Sequence, residues 1–294
     1  MDQASNLRAQ MQRLDGYSSP LRVLAVTSGK GGVGKTSFSV NLAIQLEKMG
    51  KRVLILDADF GLSNVEVMLG IRPQYNISDL IYKQKNISDI ITEGPMNIGF
   101  ISGGSGVQDL GNLDSKQIKL LISKLSQLDS MYDNIIIDTG AGISDSVLEF
   151  VLTCPEIMLV VTPEPTSITD AYSLLKAVNR KKEFIATQKT INVVSNKVES
   201  ESEGMEIYKK LNAVASKFLN IQLEYIGYIY HDRNIAKAVI EQNPITITEP
   251  KGETARLIFG IADRIVNDKK YEEQQGQGIA GVFLNYIKTR RRNK

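Results

Sequence analysis

Five short stretches of the chain each hold a run of two to five consecutive apolar residues: residues 23–28, 52–56, 134–138, 157–161 and 190–195. Apolar runs of this length, lacking the alternation of a half-buried strand, predict strands covered on both faces. Elsewhere the spacing lengthens to that of a helix. Leu42, Ala43 and Leu46 share one side of 38–48, and a second helix is expected over 167–180. Leu257, Ile258, Ile261 and Ile265 share a face of 252–266. Strand and helix in alternation predict an α/β fold with a mostly parallel central sheet flanked by helices. Residues 71–97 read as short helical pieces opened by Ser78-Asp79 and Ser88-Asp89, 97–101 as another strand, and 102–106 as a glycine-rich loop.

Both ends carry amphipathic segments outside this alternation. Ala4, Leu7, Met11 and Leu14 form a stripe over residues 2–14, and a Gly-Tyr-Ser-Ser-Pro linker follows at 16–20. An isolated helix this short is marginal in water until its stripe docks on something. At the other end, a polar tether leads to Ile279, Val282, Phe283, Tyr286 and Ile287, with Lys288, Arg290, Arg291, Arg292 and Lys294 behind them. Apolar positions at helical spacing, capped by cations, have the composition of a helix lying in a membrane interface. The alternative is a last helix packed on the core. The expected organisation is an N-terminal segment with linker (1–19), one globular domain (20–268), and a tether with an amphipathic helix (269–294).

Composition narrows the setting. A hydrophobic content of 42% supports a sizeable core. The first residues lack the apolar stretch of a signal peptide, and no run reaches membrane-spanning length. The single cysteine, Cys154, rules out an internal disulfide and works against an iron–sulfur cluster held by one chain. The net charge is +2, but the five terminal cations leave the body mildly acidic at −3. That balance argues against a basic nucleic-acid-binding body and for an anionic surface as the tail's partner.

The candidate chemistry begins at Gly29-Lys30-Gly31-Gly32-Val33-Gly34-Lys35-Thr36-Ser37, between the first expected strand and the first expected helix. Strand, glycine loop and helix are the context in which G-x-x-x-x-G-K-[ST] is a phosphate site. The glycines let successive N–H groups face one anion, and the helix N-terminus adds partial positive charge. Lys35 is expected on the β- and γ-phosphates, Thr36 on Mg²⁺, and Ser37 near the α-phosphate. Asp57 and Asp59 end the second strand, where open α/β sheets bind ligands. Asp138 ends a later strand ahead of Thr139-Gly140-Ala141-Gly142, and suits a water on Mg²⁺.

With its second lysine, Lys30, the loop resembles the deviant Walker A box of the MinD/ParA family of dimerising ATPases, and the resemblance covers about residues 20–268. It implies a P-loop NTPase fold, ATP and Mg²⁺ as cofactors, and slow ATP hydrolysis stimulated by membrane or partner. It also implies a homodimer formed with ATP, in which Lys30 touches the nucleotide of the other subunit. By the same resemblance Asp59 orients or deprotonates the attacking water, and Asp57 supports the metal shell. Asp138 to Gly142 become Walker B merged with switch II, and Asn196 reads the adenine ring. The family commonly has a proline near Tyr230 that this chain lacks, and His231 is read as a rim residue.

Asp2-Gln3-Ala4 followed by Leu7-Arg8 resembles the N-terminal activator motif of the FlhG group, MinD-like regulators of flagellar number. That resemblance implies binding and stimulation of FlhF, a GTPase of the signal-recognition-particle type, and contact with flagellar C-ring proteins. The expected location is cytoplasmic and reversibly peripheral on the inner face of the cell membrane, with the tail sheltered in a surface groove of the monomer. Three alternatives stay open: a ParA-like partition ATPase acting on DNA, which the acidic body disfavours; a non-catalytic adaptor that uses ATP only to hold a dimer together; and a MinD-like division-site regulator.

Overall fold

The computed structural model describes residues 21–59, 64–104, 113–182, 184–186, 189–268 and 278–292. Three expected features lie wholly or partly outside the described residues: the segment bearing Asp2, Gln3, Ala4, Leu7 and Arg8, residues 105–106 of the 102–106 loop, and most of the tether. The chain runs through strand β1 (Arg22–Ser28), helix α1 (Lys35–Lys48), β2 (Val53–Ala58), α2 (Asn64–Leu69), β3 (Thr92–Glu93), β4 (Gly99–Ser102) and α3 (Ser115–Leu125). It continues through β5 (Asn134–Ala141), α4 (Asp145–Thr153), β6 (Glu156–Val161), α5 (Pro165–Asn179), β7 (Thr190–Val198) and α6 (Glu201–Leu219). β8 (Glu224–Tyr230), α7 (Arg233–Ile240), α8 (Glu253–Val266) and α9 (Ile279–Arg292) complete it.

The strands form one eight-stranded sheet in the order β3-β4-β2-β5-β1-β6-β7-β8. All neighbours are parallel except β3, which pairs antiparallel with β4. The apolar runs are continuous because both faces are covered. Leu24, Val26 and Ile136 pack into the cluster that includes Leu42 and Leu46 of α1 and Ile258 and Ile261 of α8. Their neighbours Val23, Ala25, Ile135 and Ile137 face the other cluster, with Leu121 of α3 and Phe150 of α4. Alternate side chains of a strand point to opposite faces, so one run feeds two cores.

At the start of the sheet, the buried Arg22 guanidinium donates to both Glu156 carboxylate oxygens, at 2.5 and 2.7 Å. It also donates to the Ile265 carbonyl of α8 and, at 3.3 Å, to Asp268. Asn192 of β7 donates to the same glutamate at 3.0 Å. A charge this deep is tolerable only when paired. This network ties β1, β6, β7 and the end of α8 together.

Two local expectations shift. The strand expected at 97–101 starts at Gly99, because Pro95–Asn97 form a 3-10 turn with Met96 at φ 60°. The short helix expected to open at Ser88 is instead capped by Asn86, whose side chain and that of Asp89 satisfy each other's backbone.

The C-terminal helix is docked. Ile279, Val282, Phe283, Tyr286 and Ile287 of α9 are all buried in the cluster that holds Phe150 and Cys154. Tyr286 stacks on Phe150 at 4.5 Å between ring centroids, and Phe283 meets it nearly edge-on at 6.1 Å. The helix lies against α3 and α4. Its first N–H donates to Asp129 at 3.1 Å, and Arg291 donates to the Leu113 carbonyl. Among the described residues no helix is long and apolar enough to cross a membrane.

Candidate functional site

β1 sits between β5 and β6, and β5 separates it from β2. The glycine loop leaving β1 therefore lies beside the ends of the strands that carry the acidic residues. Asp57 and Asp138 are register partners across β2 and β5. Open α/β sheets bind ligands at this edge. A cavity of about 770 Å³ opens there, lined by Gly31, Gly32, Gly34, Lys35, Thr36 and Ser37 of the loop and first turn, and by Asp59 and Asn196 from the strand ends.

The loop keeps its shape through close approach and unusual backbone. A side chain on Gly29 would lie 2.1 Å from the Asp170 backbone of α5, so only glycine fits. Gly34, at φ 93°, stands at the N-cap of α1 with no side chain capping the helix, and no acidic residue follows in the first turn. Helix N–H groups left uncapped, with no negative charge beside them, are what an anion needs. The Lys35 ammonium is buried, and desolvation lowers its pKa although Asp138 and Asp59 oppose the shift. A phosphate group would supply the counter-charge that burial withholds.

Asp138 is fully enclosed. Thr36 donates to its Oδ2 and Ser39 to its Oδ1, each at 2.7 Å. Burial pushes its carboxyl up to about 6 despite those bonds and the Lys35 charge. Asp57 turns toward the start of α2, accepting from the Asp59 N–H at 3.0 Å and the Val65 N–H at 3.4 Å. Burial raises it to about 7, with the Asp138 charge contributing. Asp59 is half-buried on the cavity wall, where Asn64 donates to it at 3.3 Å. Its Oδ1 would lie 3.4 Å from a side chain on Gly140, so the second and fifth strands' loops face each other. A hydroxyl and desolvated carboxylates make a hard, anionic oxygen set, which suits Mg²⁺. Thr36 with Asp138 would hold such an ion, and it would supply charge neutralisation at the phosphates.

Lys30 folds back onto its own chain, donating to Glu164 and, at 2.9 Å, to Thr166 Oγ1 at the start of α5. That pairing holds the Glu164 carboxyl below the usual range. Asn196, the residue expected at the base, donates to the Val33 carbonyl at 2.7 Å, and its Oδ1 accepts from the Lys197 N–H. It still lines the cavity, together with the exposed His231. Sequence reasoning missed Ser39, Glu164 and Lys197 as parts of the site. Only Ser39 left a signal: it lies three residues after Thr36, one turn along the same face of α1.

Residues 20–266 match the family model described as ParA: NUBPL iron-transfer P-loop NTPase. The antiactivator FleN of Pseudomonas aeruginosa is 39% identical over 250 residues, covering 85% of this chain and 88% of that protein. The flagellum site-determining protein YlxH of Helicobacter pylori is 30% identical, covering 91% of this chain and 90% of that one. Among solved structures, the septum site-determining protein MinD of Pyrococcus horikoshii, complexed with Mg-ADP, superposes with a TM-score of 0.65 at 20% identity. The likeness covers 86% of this chain and 98% of that one. With the family model spanning the whole sheet and the phosphate loop intact, the chain belongs to the MinD/ParA family of P-loop ATPases and is an ATPase.

Proposed function

We propose that this ATPase dimerises with ATP, associates with the membrane through α9, and controls flagellar number or placement. The observation that carries the flagellar reading is the likeness to FleN and YlxH across 85–91% of the chain. The membrane reading is supported by the character of α9, whose apolar stripe ends in cations. In this reading Lys30 exchanges its own chain's Glu164 for the nucleotide across a dimer, and Asp59 directs water at the γ-phosphate. Asn196 meets the adenine, and Asp57 supports the metal shell from behind. Residues 1–14, through Asp2, Gln3, Ala4, Leu7 and Arg8, stimulate a GTPase of the FlhF type, with C-ring proteins as further partners.

Energetics favour a switch over a fixed anchor. Each apolar side chain gains about 1.5–3 kcal/mol on burial whether the site is the groove or the acyl boundary. Leaving one for the other is therefore nearly neutral in that term. Cations near an anionic leaflet add about 1 kcal/mol each, and two tails on one dimer gain effective concentration, often ~100-fold. Dimerisation can thus set membrane residence without the nucleotide touching either tail.

The test is flotation with anionic liposomes, using wild type and Asp59→Ala, each with ATP or ADP, with and without residues 279–294. Asp59→Ala is expected to float with ATP, and neither the ADP form nor the truncated chain should. Flotation indifferent to nucleotide would make α9 a constitutive anchor and refute the dimer-gated switch.

A further inference from the structure

The end of β7 is irregular where it passes the glycine loop. Its register with β8 shifts between Asn196 and Val198, and Lys197, the residue at the shift, is exposed with φ 58°. A lysine in the left-handed region inside a strand is uncommon, and irregularities of this kind re-aim side chains beside active sites. Here two side chains converge on one target. Lys197 Nζ donates to the Gly32 carbonyl at 2.8 Å, and Asn196 Nδ2 donates to the Val33 carbonyl at 2.7 Å.

Those carbonyls belong to consecutive peptide units. In a trans peptide the C=O and N–H point in opposite directions, and no described peptide bond is cis. Drawing the Gly32 and Val33 carbonyls toward β7 therefore turns the N–H groups of Val33 and Gly34 the other way. We infer that Lys197 and Asn196 act as a clamp from β7 that aims two backbone donors of the glycine loop at the phosphates before nucleotide arrives. Both are positioning residues, and Lys197 carries the charged half of the clamp. A glycine-rich loop needs such a restraint, because glycines hold no orientation of their own. Donors fixed in advance bind an anion without first being ordered.

This inference rests on reading residues 29–36 as the nucleotide site and adds the residues that set its geometry. It predicts a loss of affinity that follows the phosphates and not the base. The experiment measures binding of Mg·ATP and of Mg·tripolyphosphate to the full chain and to Lys197→Met, Lys197→Gly and Lys197→Arg, with ATP turnover alongside. Lys197→Gly suits the left-handed backbone but removes the ammonium, so it separates the clamp from the kink. Lys197→Met and Lys197→Gly are expected to weaken both ligands about tenfold, the scale of one lost charged hydrogen bond. KM should rise while kcat at saturating ATP stays near wild type, and Lys197→Arg should keep most of the affinity. Wild-type binding by Lys197→Gly would overturn the clamp, as would a loss confined to ATP, which would put Lys197 on the base or ribose. Failure of the wild-type chain to bind either ligand would instead refute the nucleotide site itself.

Discussion

Lys189 shows how a single buried charge sets a pH dependence. Its ammonium is half-buried and donates to the Cys154 carbonyl at 2.5 Å, at the end of α4. Burial lowers its pKa to about 8 from an ordinary value of 10.5. Between those values the unfolded chain holds the proton and the folded chain does not, so stability rises with pH across that window. Below about pH 8 both states are protonated and the cost of burying the charge is constant. Relative to Lys189→Met, wild type should gain on the order of 2 kcal/mol between pH 7.5 and 10. Urea midpoints of both proteins at the two values measure it, since other titrating groups cancel in the difference. A gap that does not change with pH would show that Lys189 stays solvated. At this scale the sequence was most informative where chemistry is contiguous. Lys30, Lys35, Thr36 and Asp59 could be picked out because the phosphate loop and the strand-ending aspartates are local patterns. The bonds from Lys30 to Glu164, from Asn196 to Val33 and from Lys197 to Gly32 were not legible. Each spans 134 or more positions and exists only because β6, which precedes Glu164, and β7, which carries Asn196 and Lys197, lie one and two strands from β1.

Among the elements, α9 was legible as an amphipathic helix, but its seat was not, because α3 and α4 form the groove from distant sequence. The longest helix among the described residues, α6, was not expected, although Gly204, Ile207, Leu211 and Ala215 are its buried residues at helical spacing, behind the Ser200 cap. The groove gives α9 a reporter. Cys154 has no exposure and shares the cluster with Phe283 and Tyr286, and burial pushes its thiol up to about 12. A thiol that is neither exposed nor ionised reacts slowly. If α9 leaves the groove with ATP and anionic vesicles, alkylation of Cys154 in Asp59→Ala should accelerate at least about tenfold over the ADP form. Phe150→Ala, which removes the ring that Tyr286 stacks on, should raise the rate without any ligand. Equal rates in the ATP and ADP forms would mean that α9 stays seated throughout the cycle.

At the scale of the whole molecule, the sheet separates two surfaces that the proposed cycle must connect. The glycine loop, Lys30 and Asp59 gather at the carboxyl ends of the central strands, whereas α9 lies on the flank, against α3 and α4. The tail's contacts with α3, α4, Asp129 and Leu113 lie apart from the residues that line the nucleotide cavity. Coupling through the dimer would solve that problem, since ATP then acts by bringing two tails together and need not touch either. This makes membrane binding a property of the pair, with a consequence for mixtures. A copy lacking residues 279–294 keeps the whole site and can still pair, so its dimer with a full-length chain carries one tail. Adding a several-fold excess of truncated Asp59→Ala to full-length Asp59→Ala with ATP should strip most full-length protein from liposomes. A second competitor, with Lys288, Arg290 and Arg292 replaced by glutamine and the docking stripe retained, guards against an effect of the emptied groove. It should compete in the same direction. Adding Lys30→Ala to either competitor removes the residue expected to reach across the dimer and should abolish the competition. If full-length flotation is unchanged by every competitor, each tail binds alone, and ATP must reach α9 through the interior of a single chain.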